Sequence, residues 1–483
     1  MNVLEKEKGV NLTDKRSKMI ATIGPSSQNK EILKQMMLKG MTTVRANFSH
    51  GDHAEQLNKF VLAKEVAKEL NLPMSLMLDT KGPEIRVGKM KDGSQKIEVG
   101  KIITVLTDEV SYKTFEGIPT KFTVSHRMDK DVKVGSYILF DDGKLTTIVT
   151  GVKSGIVEVK TINSHVLKSN KRINIPGAQL SLEFLSKKDK EDIIFGIKND
   201  VNYIAASFVN SKQDVLDLRK LLKDNNGEHI QIISKIESVF GIENIDEIIE
   251  ASDGIMIARG DLGLEIPYFE VPFYEKQIIR KCRNVGKPVI VATQMLDSME
   301  KLPQPTRAEV SDVYWATELG ADATMLSGES ANGDFPVESV EVMSTINRRA
   351  EKEFYNKLYY PAHLETLIQN PVGVHSKLAS EVALKVMNGD YKFSVILSET
   401  GRLLKEIARF RPNTVIIGVI NNDKLIHGFG ITHSVFMSVD SKAVKSEIEK
   451  NLTKAREVLK PFFPKKGDKY LVVENNKISE YIY

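Results

Sequence analysis

The stretch Ile232-Ile233-Ser234-Lys235-Ile236-Glu237 is followed by a second apolar run, 254–258, which leads into Arg259-Gly260-Asp261. In a strand over 232–237, Lys235 and Glu237 are two positions apart and point to the same side. The second run predicts the neighbouring strand, which brings Asp261 to the same end. Two carboxylates beside an ammonium group predict a site for a divalent cation and an anionic, phosphorylated substrate.

An isolated Lys-x-Glu pair is most simply a surface ion pair at the end of a strand. The site interpretation is stronger here because polar residues also follow other apolar runs. These polar stretches are 45–51, 79–86, 292–294 and 327–329. If their strands are parallel and adjacent, arginine, lysine, carboxylate and hydroxyl groups meet at one mouth, where arginines can bind phosphate oxygens.

Eight short apolar runs, each followed directly or after an insert by a helical pattern, predict a closed (β/α)8 TIM barrel. An open doubly wound sheet is the alternative, but polar residues after so many strands favour closure. The predicted strands are 19–23, 42–47, 74–79, 203–208, 230–235, 254–258, 288–293 and 323–327. The predicted helix N-caps are Ser27, Asp52, Ser211, Thr306 and Asp334.

Two further regions differ from the barrel in their sequence patterns. Segment 87–171 has short alternating runs separated by turn residues, which predicts a small β-barrel inserted as a lid over the site. The region after 353 predicts an α/β domain with helices at 377–387, 403–409 and 442–458 and strands at 393–397, 415–419 and 470–473. The predicted domains are an arm (1–16), the barrel (17–86 and 172–350), the lid (87–171) and a C-terminal regulatory or oligomerisation domain (351–483).

Composition narrows the class of protein. The 483 residues are 41% hydrophobic and 27% charged, which predicts a soluble protein with several cores. Its 68 basic and 64 acidic residues are interspersed, so we expect no nucleic-acid partner. Cys282 is the single cysteine, which excludes an intrachain disulfide and fits a reducing cytoplasm. The N-terminal segment lacks a signal sequence pattern, and we expect no membrane partner.

Taken together, the motifs resemble the pyruvate kinase family. The matching stretches are 21–27, 45–51, 79–86, 174–177, 234–237, 253–265, 292–298, 305–309 and 325–329, in the order that the family has. The C-terminal region matches more loosely. The resemblance implies a glycolytic, ATP-forming kinase that transfers the phosphoryl group of phosphoenolpyruvate to ADP. It also implies a homotetramer.

The resemblance also implies residue roles. Glu237 and Asp261 would hold Mg²⁺ or Mn²⁺, and Lys235 would stabilise the transferring phosphoryl group and the enolate. Arg45 would bind the phosphate. The other substrate-binding positions are Ala258, Arg259, Gly260, Asp261 and Thr293, with backbone N–H groups facing the substrate carboxylate. The candidates near the nucleotide are Arg86, His50 and Lys171. The candidates for protonating the enolate are Thr293, Ser327 and Glu329, and the sequence leaves the choice among them open.

A second cation follows from the same resemblance. The matching potassium ligands are Asn47, Ser49, Asp79 and Thr80, all of which have oxygen donors. In this family a glutamate at the position of Glu84 accompanies potassium dependence, whereas a lysine there supplies the positive charge itself. We therefore expect activity to require K⁺.

The chain departs from the family pattern at two places. Asn170-Lys171-Arg172 stands where many relatives have two lysines and a glycine. In the C-terminal domain, Ser398, Thr400, Gly401 and Arg402 resemble a loop that binds a sugar phosphate through hydroxyl and backbone N–H groups. However, Leu403 stands where relatives have a hydroxyl, and the tail 473–481 lacks the glycine-rich loop that binds fructose 1,6-bisphosphate. The resemblance thus implies a phosphorylated allosteric effector and leaves its identity open.

Two rival functions remain at this point. A metal-dependent barrel lyase or aldolase acting on phosphoenolpyruvate or pyruvate would explain Lys235, Glu237 and Asp261, but not the lid or the 79–86 stretch. A catalytically silent scaffold is compatible with any fold, but it would be expected to have lost these residues. Neither a P-loop nor a dinucleotide-binding glycine motif occurs, so side chains and metal would have to hold the nucleotide.

Overall fold

The computed structural model describes residues 15–356, 359–439 and 441–483. Eight parallel strands close into a barrel, which confirms the predicted (β/α)8 architecture. The strands are β1 (Lys18–Thr22), β2 (Thr43–Asn47), β3 (Ser75–Asp79), β4 (Tyr203–Ala206), β5 (Gln231–Ile236), β6 (Gly254–Ala258), β7 (Val289–Ala292) and β8 (Ala323–Leu326). Each pairs with the next along the chain, and β8 closes the ring on β1.

The barrel interior is filled by side chains from alternate strand positions. These include Ile20, Met77, Tyr203, Ile233, Met256, Ile290 and Met325, all buried. Ile431 of the C-terminal domain joins this cluster beside Tyr203, which starts β4, so it packs at the amino end of the barrel. The carboxyl end is therefore the free mouth of the barrel, which is where active sites lie in this fold.

Helices surround the barrel and link its strands. The longer ones are Lys30–Leu38, His53–Leu70, Lys187–Lys198, Lys212–Asp224, Ile245–Ala251, Val271–Val285, Arg307–Glu318 and Pro336–Phe354, and the shorter ones are Val239–Glu243, Arg259–Glu265 and Gly328–Ala331. Asp52, Ser211 and Thr306 cap their helices as predicted. No helix in the described ranges is long and apolar enough to cross a membrane.

Two predicted N-caps were wrong. Ser27 does not cap the first helix, because Asn29 accepts the N–H groups of Glu31 and Ile32 while the Ser27 hydroxyl accepts the Gly24 N–H. Asp334 lies one residue too early, because the helix begins at Pro336 and Phe335 occupies the cap position. A proline suits the first helical position, since the N–H group that it lacks would have no partner there.

The insert forms a curved sheet together with the two strands that flank it, so the folded insert extends from Ile85 to Asn174. Its seven strands, in spatial order, are Ile85–Arg86, Arg172–Asn174, Tyr137–Phe140, Leu145–Lys153, Ile156–Thr161, Ile102–Leu106 and Lys121–Thr123. A bridge between Val87 and Val124 joins the two edges, so the sheet curls around its own core. Two further strands, His165–Lys168 and Ser94–Ile97, pair separately, and Glu109–Thr114 is a short helix.

The C-terminal region contains a five-stranded sheet in the order Val435–Met437, Val415–Ile420, Phe393–Ser398, Lys469–Glu474 and Lys477–Ile482. Its helices are Tyr359–Gln369, Ser376–Gly389, Arg402–Arg409, Asp423–Ile426, Ser441–Lys450 and Ala455–Leu459. The first and last of these strands were not predicted. The single helix predicted at 442–458 was wrong, because Asn451 interrupts it and caps a separate turn. Most of the predicted N-terminal arm lies outside the described residues.

Candidate active site

Lys235 lies at the centre of the barrel mouth, near the end of β5. Its Nζ is 3.0 Å from Glu237 Oε1 and 3.1 Å from Asp79 Oδ1. It also donates a 2.8 Å hydrogen bond to the hydroxyl of Ser207, just past the end of β4. The Asp79 and Glu237 side chains are each 1% exposed. One buried ammonium therefore connects the ends of three neighbouring strands.

Arg45 brings a second cation to the mouth from β2. Its Nε donates to Asp79 Oδ2 at 2.7 Å, and its Nη1 donates to the Thr22 hydroxyl at 2.6 Å. Burial alone would raise the pKa of Asp79, but Arg45 and Lys235 together lower it. Burial opposes the charge of Lys235, yet Asp79 and Glu237 raise its pKa overall. The mouth thus holds two fixed cations, an arrangement suited to binding phosphate.

Glu237 and Asp261 are the acidic groups available to a metal. Glu237 Oε2 accepts the Phe208 N–H at 2.7 Å, and Asp261 Oδ1 lies 2.5 Å from Arg172 Nη1. Burial raises the pKa of Glu237 to about 7, with Lys235 opposing the shift and Asp261 adding to it. These two carboxylates repel one another in a buried setting, which a divalent cation would relieve.

The donor set fits Mg²⁺. Among the described residues, no group of three or more His, Cys, Asp or Glu side chains forms a metal cluster. The chain would supply the carboxylates of Glu237 and Asp261, which follow β5 and β6, and water and substrate oxygens would supply the rest. Mg²⁺ is commonly held in this way by proteins that act on phosphates.

The segment between β6 and β7 is organised around a backbone contact. The Gly260 N–H donates to the Thr293 hydroxyl at 2.7 Å, and that hydroxyl donates to the Ala292 carbonyl at 2.6 Å. Thr293 and Gln294 both have positive φ, a strained conformation that is often found at functional sites. The hydroxyl of Thr293 is thereby fixed beside the backbone that follows β6.

The Arg259 side chain is held by protein partners, among them the Thr293 carbonyl at 3.0 Å. Its guanidinium is buried and bonds Asp312 at 2.5 and 2.6 Å and Glu275 at 3.2 Å, on two outer helices. Burial opposes the charge of Arg259, but these carboxylates raise its pKa. The side chain is therefore structural, and only the backbone of this residue remains for the substrate.

The other two protonation candidates follow β8. Glu329 accepts the N–H groups of Ser327 at 2.7 Å and Leu296 at 3.1 Å, and burial raises its pKa. The Ser327 hydroxyl is buried and has no hydrogen-bond partner within the described ranges. Within the part of the chain that the structure describes, no hydrogen bond between two side chains joins Thr293, Ser327 and Glu329.

The potassium candidates lie at adjacent strand ends, because Asn47 of β2 is directly paired with Asp79 of β3. The Asn47 amide oxygen accepts the Ser49 N–H at 3.0 Å, and the Thr80 hydroxyl accepts the Ser207 N–H at 3.1 Å. The four residues are thus in one region of the mouth. Asp79 is shared with Arg45 and Lys235.

The nucleotide candidates are held by different partners. Arg86 bonds Glu84 at 2.7 and 3.0 Å, and Lys171 Nζ lies 3.0 Å from Asp141 inside the insert. His50 is exposed on the loop after β2. No contact joins these three side chains among the residues described.

The effector candidates lie in the C-terminal domain, away from the mouth. The Gly401 N–H donates to the Ser398 hydroxyl at 3.0 Å, and the Arg402 N–H reaches the Thr400 hydroxyl at 3.4 Å. Gly401 has φ of +76°, and a Cβ there would lie 2.6 Å from Phe429. The loop therefore requires glycine for its own geometry. Leu403, which follows Arg402, is buried in the core of the C-terminal domain.

Three site residues were missed by the sequence analysis. Thr22 binds Arg45 and Ser207 binds Lys235, and both lie within the last residues of predicted strands, so the same alignment of strand ends could have found them. Arg172 was noted only as a departure. Its contact with Asp261 crosses from the insert to the barrel, and no local pattern predicts such a contact.

Comparison with known proteins shows to which family this chain is similar. A family model described as "Pyruvate kinase, barrel domain" matches residues 14–340. The chain is 39% identical over 463 residues to a pyruvate kinase of Clostridium acetobutylicum, covering 95% of each. It is 41% identical over 461 residues to that of Mycoplasma pneumoniae, covering 87% of this chain and 89% of the relative.

The solved structures include a pyruvate kinase from Cryptosporidium parvum with a TM-score of 0.90 and 35% identity, covering 98% of this chain and 97% of that one. The barrel, with its cations and carboxylates at one mouth, defines a (β/α)8 phosphotransferase. The chain belongs to the pyruvate kinase family.

Proposed function

We infer that this chain is a glycolytic enzyme that transfers the phosphoryl group of phosphoenolpyruvate to ADP and releases pyruvate and ATP. The observation that carries this is the position of Lys235, which is buried between Asp79 and Glu237, with Asp261 in the short helix that follows the next strand. A fixed cation beside metal-type ligands is what phosphoryl transfer requires of a protein.

In the proposed reaction, the bond between phosphorus and the enol oxygen breaks while a bond forms to the terminal phosphate oxygen of ADP. Negative charge develops on the phosphoryl oxygens and on the enolate. Lys235 is in a position to stabilise both, and Arg45 would bind the phosphate. A divalent cation on Glu237 and Asp261, when bound, would neutralise phosphate charge and orient the reacting oxygens. Its identity as Mg²⁺ or Mn²⁺ is part of the proposal.

The enolate must then take up a proton at its methylene carbon to give pyruvate. We propose that Thr293 borders the face of the enolate that receives this proton. Its hydroxyl is fixed by Gly260 and Ala292. Glu329 could hold the proton because burial raises its pKa. The Ser327 hydroxyl, which has no hydrogen-bond partner among the described residues, could pass it on. Ala258 and the backbone N–H of Arg259 would face the substrate carboxylate, and the Gly260 N–H would do so after it leaves the Thr293 hydroxyl.

The nucleotide and K⁺ assignments extend this proposal. Arg86, His50 and Lys171 would contact ADP after the insert, residues 87–171, moves toward the barrel. The proposed K⁺ ligands are Asn47, Ser49, Asp79 and Thr80, and Glu84 supports a requirement for K⁺. The C-terminal domain, 351–483, would carry an effector loop at Ser398, Thr400, Gly401 and Arg402.

We also propose a cytoplasmic homotetramer. Support comes from four exposed aromatic side chains, Tyr268, Phe269, Phe273 and Trp315, which are between 53% and 80% exposed. They lie in or beside the helices Val271–Val285 and Arg307–Glu318, which Arg259 links through Glu275 and Asp312. Large exposed apolar surface of this kind is typical of protein interfaces.

The test is pyruvate formation, measured through lactate dehydrogenase with Mg²⁺ and K⁺ present. Activity that requires both phosphoenolpyruvate and ADP supports the assignment. Pyruvate formation without ADP would favour a lyase or aldolase instead. A protein that binds Mn²⁺ but forms no pyruvate, with or without sugar phosphates, would favour the scaffold.

A further inference from the structure

Arg172 joins the insert to Asp261, a proposed metal ligand. It begins the strand through which the chain returns from the insert to the barrel, and this strand pairs with Ile85–Arg86 and Tyr137–Phe140. Its Nη1 is 2.5 Å from Asp261 Oδ1, and its guanidinium lies 4.9 Å from the centre of the Phe208 ring. A cation carried by the insert is thus bound to a carboxylate carried by the barrel.

The surroundings of Arg172 are mostly acidic. Its Nε lies 3.9 Å from Glu84, and Glu237 and Asp142 also contribute negative charge around it. The Arg172 and Asp261 side chains are 18% and 20% exposed, so water screens the pair only partly. An arginine remains charged at any physiological pH. The guanidinium therefore neutralises a carboxylate whose negative charge a divalent cation would need.

The ion pair uses only part of the hydrogen-bonding capacity of Arg172. Arg172 Nη2 is buried and has no hydrogen-bond partner among the described residues. Arg259 provides a contrast in the same chain, because both of its terminal nitrogens bond Asp312, at 2.5 and 2.6 Å. A bidentate pair is stronger and more rigid than a single contact. The Arg172–Asp261 pair has the weaker geometry, which suits a contact that must open.

We propose that Arg172 is a positioning residue that competes with the divalent cation for Asp261, so that metal binding opens the ion pair and frees the insert from the barrel. This proposal rests on the proposed function only in assuming that Asp261 is a metal ligand. Because such coupling is reciprocal, a metal that weakens the Arg172 contact must itself bind more weakly while that contact persists.

The test is calorimetric titration of the full-length protein with Mn²⁺ in the absence of phosphoenolpyruvate and ADP. Arg172→Gln should bind Mn²⁺ about tenfold more tightly than the parent, within the usual range of coupling between two sites. Arg172→Lys keeps the charge and should remain close to the parent. Lys171→Gln is the matched control, because it removes the same charge one residue earlier, where the ammonium pairs with Asp141, and should leave Mn²⁺ affinity unchanged.

Equal or weaker Mn²⁺ binding by Arg172→Gln would overturn the competition, and weaker binding would mean that Arg172 orients Asp261 for the metal. Asp261→Asn separates this from the ligand assignment. If Asp261→Asn binds Mn²⁺ less tightly while Arg172→Gln is unchanged, only the competition fails. If Asp261→Asn binds Mn²⁺ as tightly as the parent, both the competition and the assignment of Asp261 as a metal ligand fail.

A second measurement does not depend on any variant folding correctly. Hydrogen exchange of the unmodified protein should show faster exchange in the insert strands Ile85–Arg86 and Arg172–Asn174 when Mn²⁺ is added alone. Unchanged or slower exchange would contradict the opening of the ion pair. Because neither measurement involves turnover, a failure here is distinct from a failure to make pyruvate.

Discussion

Lys235 Nζ lies 3.1 Å from Asp79 Oδ1, so a salt bridge joins the ends of β5 and β3 across the mouth of the barrel. The two strands are not neighbours, since β4 lies between them. The same aspartate binds Arg45 through its other oxygen. Removing either cation therefore changes both the chemistry and the balance of buried charge.

Lys235→Met should lower the rate of phosphoryl transfer by about 10³-fold, because it removes the cation that faces the developing charge. It should also lower the free energy of unfolding by about 3 kcal/mol, since Glu237 and Asp79 lose a buried partner. Steady-state kinetics and thermal unfolding check the two effects. Ser207→Ala, which removes a neutral partner of Lys235, is the control and should cost only about 1 kcal/mol. A Lys235→Met enzyme with the parental rate would refute the role of the lysine.

Activity should fall at least ~10-fold when K⁺ is replaced by a large organic cation, because losing even about 1.4 kcal/mol of transition-state stabilisation slows the reaction tenfold. Glu84→Lys should restore part of the activity in K⁺-free buffer, because the new ammonium supplies the missing charge. The assay is pyruvate formation across a K⁺ titration. Because Glu84 also binds Arg86, Glu84→Gln is needed to show whether loss of that pair alone alters the KM for ADP. Full turnover of the parent without K⁺ would contradict the assignment.

Glu265 should make stability depend on pH. Burial raises its pKa from an ordinary value of 4.5 to about 7, with Asn174, Gly177 and Arg172 opposing the shift. The folded state therefore holds a proton that the unfolded state has lost, and the stability that this proton provides decreases as pH rises from about 4.5 through about 7. Glu265→Gln stays neutral at every pH. Its free energy of unfolding should equal that of the parent near pH 4.5 and exceed it by about 3 kcal/mol at pH 8. Denaturant unfolding at several pH values measures the difference, and a constant difference would exclude Glu265 as its source.

Phe269→Glu should break up the proposed oligomer, because it puts a charge into an exposed aromatic surface that a second copy would cover. Sedimentation of the parent and the variant at matched concentrations gives the masses. Trp315 is the only tryptophan, so its emission should shift to longer wavelength when the parent is diluted into its dissociated form. Val110→Glu, at a 72% exposed position in the insert, controls for the added charge. A parent that sediments as a 54.1 kDa monomer would contradict the oligomer.

The barrel was predictable because buried parallel strands are continuous apolar runs, and their ends are marked by the polar residues that follow. The error at Ser27 shows the limit of local patterns, since two cap-forming residues compete within three positions and only backbone geometry decides between them. The strand Lys477–Ile482 was missed because it pairs at the sheet edge and its residues do not alternate regularly between polar and apolar. Its hairpin was marked by Asn475-Asn476, which both have positive φ.

Within the candidate site, residue type and strand position were enough to bring Lys235, Glu237, Asp79 and Arg45 together. Directions of side chains were not predictable from the same information. Arg259 follows β6 as expected, yet its guanidinium turns outward to Asp312 because two outer helices provide carboxylates there. Lys171 and Arg172 are adjacent and equally basic, but Lys171 precedes the strand and pairs with Asp141, whereas Arg172 begins the strand and pairs with Asp261.

The paired strands Ile85–Arg86 and Arg172–Asn174 have a consequence for protein engineering. Arg86 and Arg172 are directly opposite each other, so the chain leaves for the insert and returns from it at one point. A short hairpin turn could therefore replace the whole intervening cassette without stretching the barrel. The same junction would accept a foreign module, so this chain is a scaffold on which the cover of an active site can be exchanged as a single unit.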